Sequence, residues 1–135
     1  MAAADVIDSY LEGLDGDTRR VAHAEWGITL PDQIEGGPLD VGLRIADGLL
    51  RAQAFAVPAD DALDAWMLLW WNRQTRLVRF GSDRARNVWV QAEMPVAAIE
   101  DEAAVDRLLG LVVEAVAAAR DYAARTRRAE ASRSR

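Results

Sequence analysis

The sequence predicts an α+β fold: an antiparallel sheet made of two hairpins plus a short strand, with an N-terminal, a central and a long C-terminal helix. Three patterns carry the prediction. In residues 39–57, apolar and polar residues alternate on either side of Asp47-Gly48, a dipeptide suited to a two-residue hairpin turn because both positions take positive φ. Leu77–Phe80 and Asn87–Glu93 flank the polar loop Gly81-Ser82-Asp83-Arg84-Ala85-Arg86, as in a hairpin with a longer connection. Residues 101–125 switch to helical spacing, with acids at the start and arginines toward the end, matched to the helix dipole.

Taken in order, residues 3–14 read as an amphipathic helix, with Val6, Ile7, Tyr10, Leu11 and Leu14 at helical spacing. Gly13 and Asp15-Gly16-Asp17 stop or bend it. Thr18–Glu25 fits a further, weaker helical stretch, and residues 18–30 as a whole read as either helical or extended. Within them Trp26, Ile28 and Leu30 alternate with Gly27 and Thr29, as a short strand does. Residues 31–38, with Gly36-Gly37, read as a loop. Closing the first hairpin on Asp47-Gly48 pairs Ile45 with Leu50, Leu43 with Ala52 and Val41 with Ala54, an apolar face whose small residues admit a helix closely. The other face holds Asp40, Gly42, Arg44, Arg51, Gln53 and Phe55. Arg44 lies directly across from Arg51 there, and like charges so placed destabilise a strand pair unless an acid intervenes.

Pro58-Ala59-Asp60-Asp61 reads as a helix start. The run of Leu63, Trp66, Met67 and Trp70, with Leu68, Leu69 and Trp71, is apolar nearly all round. It predicts a deeply buried helix, with a strand as the alternative that periodicity does not separate. In the second hairpin Val88, Val90 and Ala92 face the core, while Trp89, Gln91 and Glu93 face outward. The last helix carries one stripe of Val105, Leu109, Val112, Val116 and Ala119. Beside it runs a second, of Leu108, Leu111, Ala115, Ala118 and Tyr122. One stripe suffices for packing on a sheet, so the second must meet another helix or another subunit. Its five members are the candidate dimer-interface residues.

The 135 residues fit one domain over residues 1–124, followed by a basic tail at 125–135 expected to be disordered. That tail carries a net charge of +4, against −10 for residues 1–124. An acidic body repels phosphate backbones, so nucleic acid is not an expected partner. Cysteine and lysine are both absent, which excludes disulfides, thiolate nucleophiles, Schiff-base lysines and phosphate-loop lysines. The N-terminus does not read as a secretion signal, and the apolar run Ala65–Trp71 is too short to cross a bilayer. These features predict a cytoplasmic protein without a membrane partner.

No arrangement of residues points to catalysis or a cofactor. His23 is the only histidine and reads as structural or solvated. Asp60, Asp61 and Asp64 could hold a hard cation, which leaves a carboxylate- or metal-dependent enzyme as the alternative reading. Placement at a helix N-terminus accounts for them, as it does for Glu100, Asp101 and Glu102. Trp66, Trp70 and Trp71 read as core residues. Trp89, on the outward face, suits either a partner contact or cover by a neighbouring helix. The outward cluster of Arg44, Arg51, Gln53, Phe55 and Trp89 is the candidate partner-binding site, suited to an acidic or extended segment. The other reading of the arginine pair is neutralisation by Asp40, Glu93 or another acid.

Three stretches resemble the YbjN-like proteins, which share their fold with the class I (CesT-like) secretion chaperones. They are Leu39-Asp40-Val41-Gly42-Leu43-Arg44-Ile45-Ala46-Asp47-Gly48-Leu49-Leu50, Leu68-Leu69-Trp70-Trp71-Asn72-Arg73 and Trp89-Val90-Gln91-Ala92-Glu93-Met94-Pro95. Asp106-Arg107-Leu108-Leu109 continues the match, which covers about residues 26–124. The resemblance implies a non-enzymatic, homodimeric, peptide-binding or chaperone-like protein without cofactor. It transfers no catalytic residue and no established partner surface. A structural subunit of a larger complex is the remaining alternative.

Overall fold

The turn at Asp47-Gly48 organises the centre of the molecule. Both residues take positive φ, 53° and 75°, and the strands β3 (Leu39–Ala46) and β4 (Leu49–Val57) close on them in the predicted register, Val41 opposite Ala54 and Arg44 opposite Arg51. The computed structural model describes residues 2–31, 36–61 and 63–134. Part of the predicted loop 31–38 lies outside them. Around the central hairpin the chain runs α1 (Ala3–Glu12), β1 (Asp17–Ala22), β2 (Glu25–Leu30), β3, β4, α2 (Ala65–Gln74), β5 (Val78–Ser82), β6 (Val88–Pro95) and α3 (Glu102–Arg133). Single 3-10 turns at Ala59–Asp61 and Val96–Ala98 precede α2 and α3. The six strands form one antiparallel sheet in the order β1-β2-β3-β4-β6-β5.

One face of the sheet supplies the core. Ile28, Val41, Leu43, Leu50, Ala52, Ala54, Val90 and Ala92 alternate inward and are buried. The alanines of β4 and β6 leave room for α3, whose Val105, Leu108, Leu109, Val112, Val116 and Ala119 are buried. Asp101 caps α3, its Oδ1 accepting from the Ala104 N–H at 3.1 Å. Arg120 ties the helix to the end of β4: its Nε donates to the Ala56 carbonyl at 2.9 Å, and the rest of the guanidinium reaches the carbonyls of Phe55 and Gly37. Burial pushes the pKa of that guanidinium down. Helix α1 packs beside α3 through Val6, Ile7 and Leu11. Tyr10 Oη donates to Asp106 Oδ1 at 2.6 Å, and burial followed by this hydrogen bond to an acid pushes the phenol pKa up.

Four features depart from the sequence reading. Residues 18–25 are extended, not helical: β1 and β2 form a third hairpin that turns at His23-Ala24. Long-range pairing overrides the weak local preference, because the buried Trp26 fixes β2 in the sheet. Its indole donates to Asp8 Oδ1 at 2.8 Å, and the Arg20 guanidinium lies 5.2 Å from its ring centre.

The run 63–71 is helical, but α2 contains no fully buried residue. Helix α3 already occupies the sheet face, so α2 is left to pack against the edge strand β5. Only Leu63, Met67, Leu68 and Trp71 turn partly inward. The expectation that Trp66 and Trp70 belong to the core is therefore wrong; Trp71 alone of the three packs against it. Helix α3 continues to Arg133 through residues predicted as a disordered tail. Alanine and arginine favour helix there, and Arg127 reaches Asp61 at 2.6 Å. Finally, of the two partners left open for the second stripe of α3, a helix of its own chain takes part of it: Tyr122 meets Trp71 edge-on at 5.7 Å, and the dimer candidates Leu108 and Ala115 are buried within the single chain.

The contact between α2 and β5 closes a sheet edge. Asn72 uses both ends of its amide on Phe80, accepting from the N–H at 2.8 Å and donating to the carbonyl at 3.2 Å. Thr75 Oγ1 donates to the Val78 carbonyl at 2.6 Å. An open edge recruits foreign strands, so these bonds protect β5. Asn72→Ala is expected to cost about 1–3 kcal/mol in urea denaturation, the range for orphaned polar groups. Asn72→Asp, which can still accept from Phe80, is expected to cost less. An unchanged urea midpoint in both would show that the edge is served by solvent instead.

A bare sheet face with an arginine pair and an aromatic pair

The face of the sheet turned away from α3 carries the residues that the sequence singles out for partner binding. Strand alternation puts Arg44, Arg51, Gln53, Phe55 and Trp89 on it, and all five line one open depression of about 550 Å3. The registers of adjacent strands organise this face into rows. Glu25, Arg44, Arg51 and Glu93 stand in register across β2, β3, β4 and β6. The next row is Arg19, Gly27, Gly42, Gln53, Gln91 and Arg79. In the row after that, Thr29 faces Asp40, and Phe55 faces Trp89.

Each arginine of the central pair turns outward to an acid. Arg51 binds Glu93 Oε1 through Nη2 at 2.9 Å and Nε at 3.0 Å, while Arg44 meets Glu25 at a looser 3.5 Å. Glu93 is one of the neutralising acids anticipated from sequence; the other is Glu25, and not Asp40, which accepts from Thr29 Oγ1 at 2.6 Å. All four side chains are substantially exposed. Such pairs are worth about 0–1 kcal/mol, so an incoming carboxylate can compete for the arginines.

At the far side Phe55 and Trp89 pack edge to face with ring centres 5.6 Å apart. The Trp89 indole donates to Asp83 Oδ2 at 2.9 Å. That bond, with those from Asn87, holds the Asp83 carboxyl below the usual carboxylate range. Trp89 is thus fixed from two sides and half-exposed.

Sequence reasoning missed Arg19, Glu25 and Gly27 on this face, because their placement depends on the β2–β3 register across the loop 31–38. A glycine in the middle of each of two strands was the available signal.

A second exposed surface lies on α2. Trp66, Leu69 and Trp70 form its outer face, with Leu77 following at a positive φ of 64°. Beside it an apolar groove of about 430 Å3 runs between α2 and α3, lined in part by Trp71, Phe80, Leu111 and Ala118. Of the five candidate dimer residues, Leu111, Ala118 and Tyr122 remain accessible near this groove, whereas Leu108 and Ala115 do not.

Two of the three candidate cation ligands have other employment. Asp64 caps α2, accepting from the Trp66 N–H at 3.0 Å, and Asp61 pairs with Arg127. Among the described residues no group of three or more histidines and acids converges to hold a metal ion. His23 is exposed in the β1–β2 turn. No helix of the described residues is long and apolar enough to cross a membrane.

No protein-family model matches the chain, and no curated protein matches its sequence. Solved structures do share its fold. A chain of the HopA1–SchA chaperone–effector complex superposes with a TM-score of 0.67 at 12% identity, over 87% of this chain and 92% of the other. A chain of the ExsC–ExsE complex gives 0.60 at 16% identity, over 90% and 96%. A chain of the heterodimeric ExoU–SpcU complex, from the type III secretion system of Pseudomonas aeruginosa, gives 0.59 at 18% identity, over 85% and 95%. At these identities the likeness is one of fold: the chain has the α+β architecture found in secretion chaperone–effector complexes.

Proposed function

We propose that this chain is a YbjN-like, chaperone-like protein of the cytoplasm that binds another polypeptide, acts as a homodimer and catalyses no reaction. The observation that carries the reading is the outer face of α2, where Trp66 is 79%, Leu69 56% and Trp70 58% exposed. Contiguous apolar surface of this kind marks a protein–protein contact. Two tryptophans bury roughly 150–250 Å2 each. An isologous contact between copies brings four together, about 600–1,000 Å2, and Leu69 with the adjoining groove supplies the remainder toward the ~1,000 Å2 that separates stable interfaces from packing contacts. The groove flanked by Leu111 and Ala118 receives part of that contact, with Tyr122 at its margin. The bare sheet face stays free for the other polypeptide, so assembly and binding use different surfaces. The shared fold with chains of chaperone–effector complexes supports the same reading.

Gentle purification from the native host, with mass spectrometry of co-purifying chains, tests it. The expected result is one stoichiometric polypeptide that rebinds saturably when both proteins are made recombinantly. A folded, abundant protein that brings down no such chain would sink the proposal.

A further inference from the structure

If the chain binds polypeptides as proposed above, the trough on the bare sheet face determines which segment it takes. Its floor is Gly27 and Gly42, which face each other in β2 and β3. A Cβ added to Gly42 would meet nothing nearer than Gln53 Cγ at 4.0 Å, so the space above it is open. Above Gly27 the Arg19 guanidinium lies flat, 3.0 Å from where a Cβ would stand. Arg44 and Arg51 stand at one end of this gap and Phe55 with Trp89 at the other. Arg51 and Phe55 are four residues apart on β4, or about 13 Å at ~3.3 Å per residue.

The charges favour an acidic occupant. Three arginines line the trough against Glu25 and Asp40, and Asp40 is engaged by Thr29. With Glu93 paired to Arg51 at its margin the face is close to balanced, while residues 1–124 as a whole carry a net −10, so it repels an acidic segment less than the rest of the body does. A carboxylate arriving there gains charge-assisted hydrogen bonds from guanidinium groups held only by exposed ion pairs.

We infer that the trough holds an extended segment of a different protein, with an acidic residue and a large apolar residue four positions apart. Alternate residues of an extended chain face the same way. The carboxylate at position i is taken by Arg44 and Arg51. The side chain at i+2 enters the space above Gly42, and the apolar side chain at i+4 packs on Phe55 and Trp89.

The test uses the full-length protein labelled with nitrogen-15. The probe is a short threonine-rich peptide with glutamate and phenylalanine four residues apart. Three controls go with it: glutamine for the glutamate, serine for the phenylalanine, and the two residues moved to two apart. The expected result is saturable binding, with shifts at the Gly27 and Gly42 amides and the Trp89 indole. Each control is expected to bind at least about tenfold more weakly. Gly42→Val, whose Cβ would meet nothing nearer than 4.0 Å and which suits a strand, is expected to fold normally and lose the binding. Arg44→Glu/Arg51→Glu is expected to lose the probe and prefer its lysine counterpart.

Binding that ignores the glutamine control, survives Gly42→Val or shifts only α2 or β1 would overturn the trough assignment while leaving polypeptide binding intact. Absence of binding by every peptide to the folded protein would also overturn it, and the co-purification result would then decide the broader reading separately.

Discussion

Leu108→Ala is expected to destabilise the fold by about 2–5 kcal/mol, the range for a truncated core leucine, and to leave the association of copies unchanged. Leu108 is 1% exposed in the single chain, so no partner is needed to cover it. Its neighbours Val105, Leu109 and Val112 are buried in the same core, which restricts the collapse that would refill the cavity. Urea denaturation followed by tryptophan fluorescence, repeated over a range of protein concentrations, separates the two effects. A core loss lowers the midpoint equally at every concentration, whereas a lost interface makes the midpoint depend on concentration. If Leu108→Ala kept its midpoint and split a dimer, the residue would belong to the interface for which the sequence pattern nominates it.

That nomination shows where periodicity stops being informative. Two apolar stripes on α3 require two packing partners, and the inference is sound. The stripe of Leu108, Leu111, Ala115, Ala118 and Tyr122 does have a partner, but much of it is intramolecular. Helix α1 arrives from the far end of the chain, joined through Tyr10 and Asp106, and α2 contributes Trp71. Neither contact is visible in the spacing of α3 itself. The central hairpin was legible for the opposite reason. Asp47-Gly48 sets a local turn, the turn sets the register, and the register puts Arg44 opposite Arg51 and Phe55 on the outer face without long-range information.

The candidate site was legible in the same proportion. Its β3 and β4 residues follow from one turn, and Trp89 follows from alternation along β6. Glu25, Arg19 and Gly27 enter only when β2 docks on β3, through a connection whose length does not specify register. Residues 18–25 illustrate the stronger form of this effect. As an isolated segment they have a weak helical preference, but β2 is buried through Trp26 and Ile28, and β1 pairs with its free edge. Among the described residues the outer β1 edge has no strand partner, in contrast to β5, which α2 covers.

Trp66→Glu/Trp70→Glu is expected to convert a dimer into a monomer at micromolar concentration while leaving the fold intact. The composition of α2, apolar nearly all round, predicts deep burial, a pattern that core helices share with helices at interfaces. The structure removes the outer side of α2 from the core. The inner side is held by Asn72, Thr75 and Trp71, and the outer side is largely exposed among the described residues. Charge on the outer side removes no core contact, so thermal melting should change little beyond what dissociation itself causes. A charge buried across an interface costs several kcal/mol, and in an isologous contact each substitution enters twice, enough to raise the dissociation constant by orders of magnitude. Light scattering across a dilution series checks this. A wild-type monomer at all concentrations would refute the dimer outright, whereas a dimer that survives both glutamates would move the interface away from α2. If the variant becomes monomeric but still binds the acidic, phenylalanine-containing peptide, assembly and polypeptide binding occupy separate faces of the molecule, as the positions of α2 and the glycine-floored trough require.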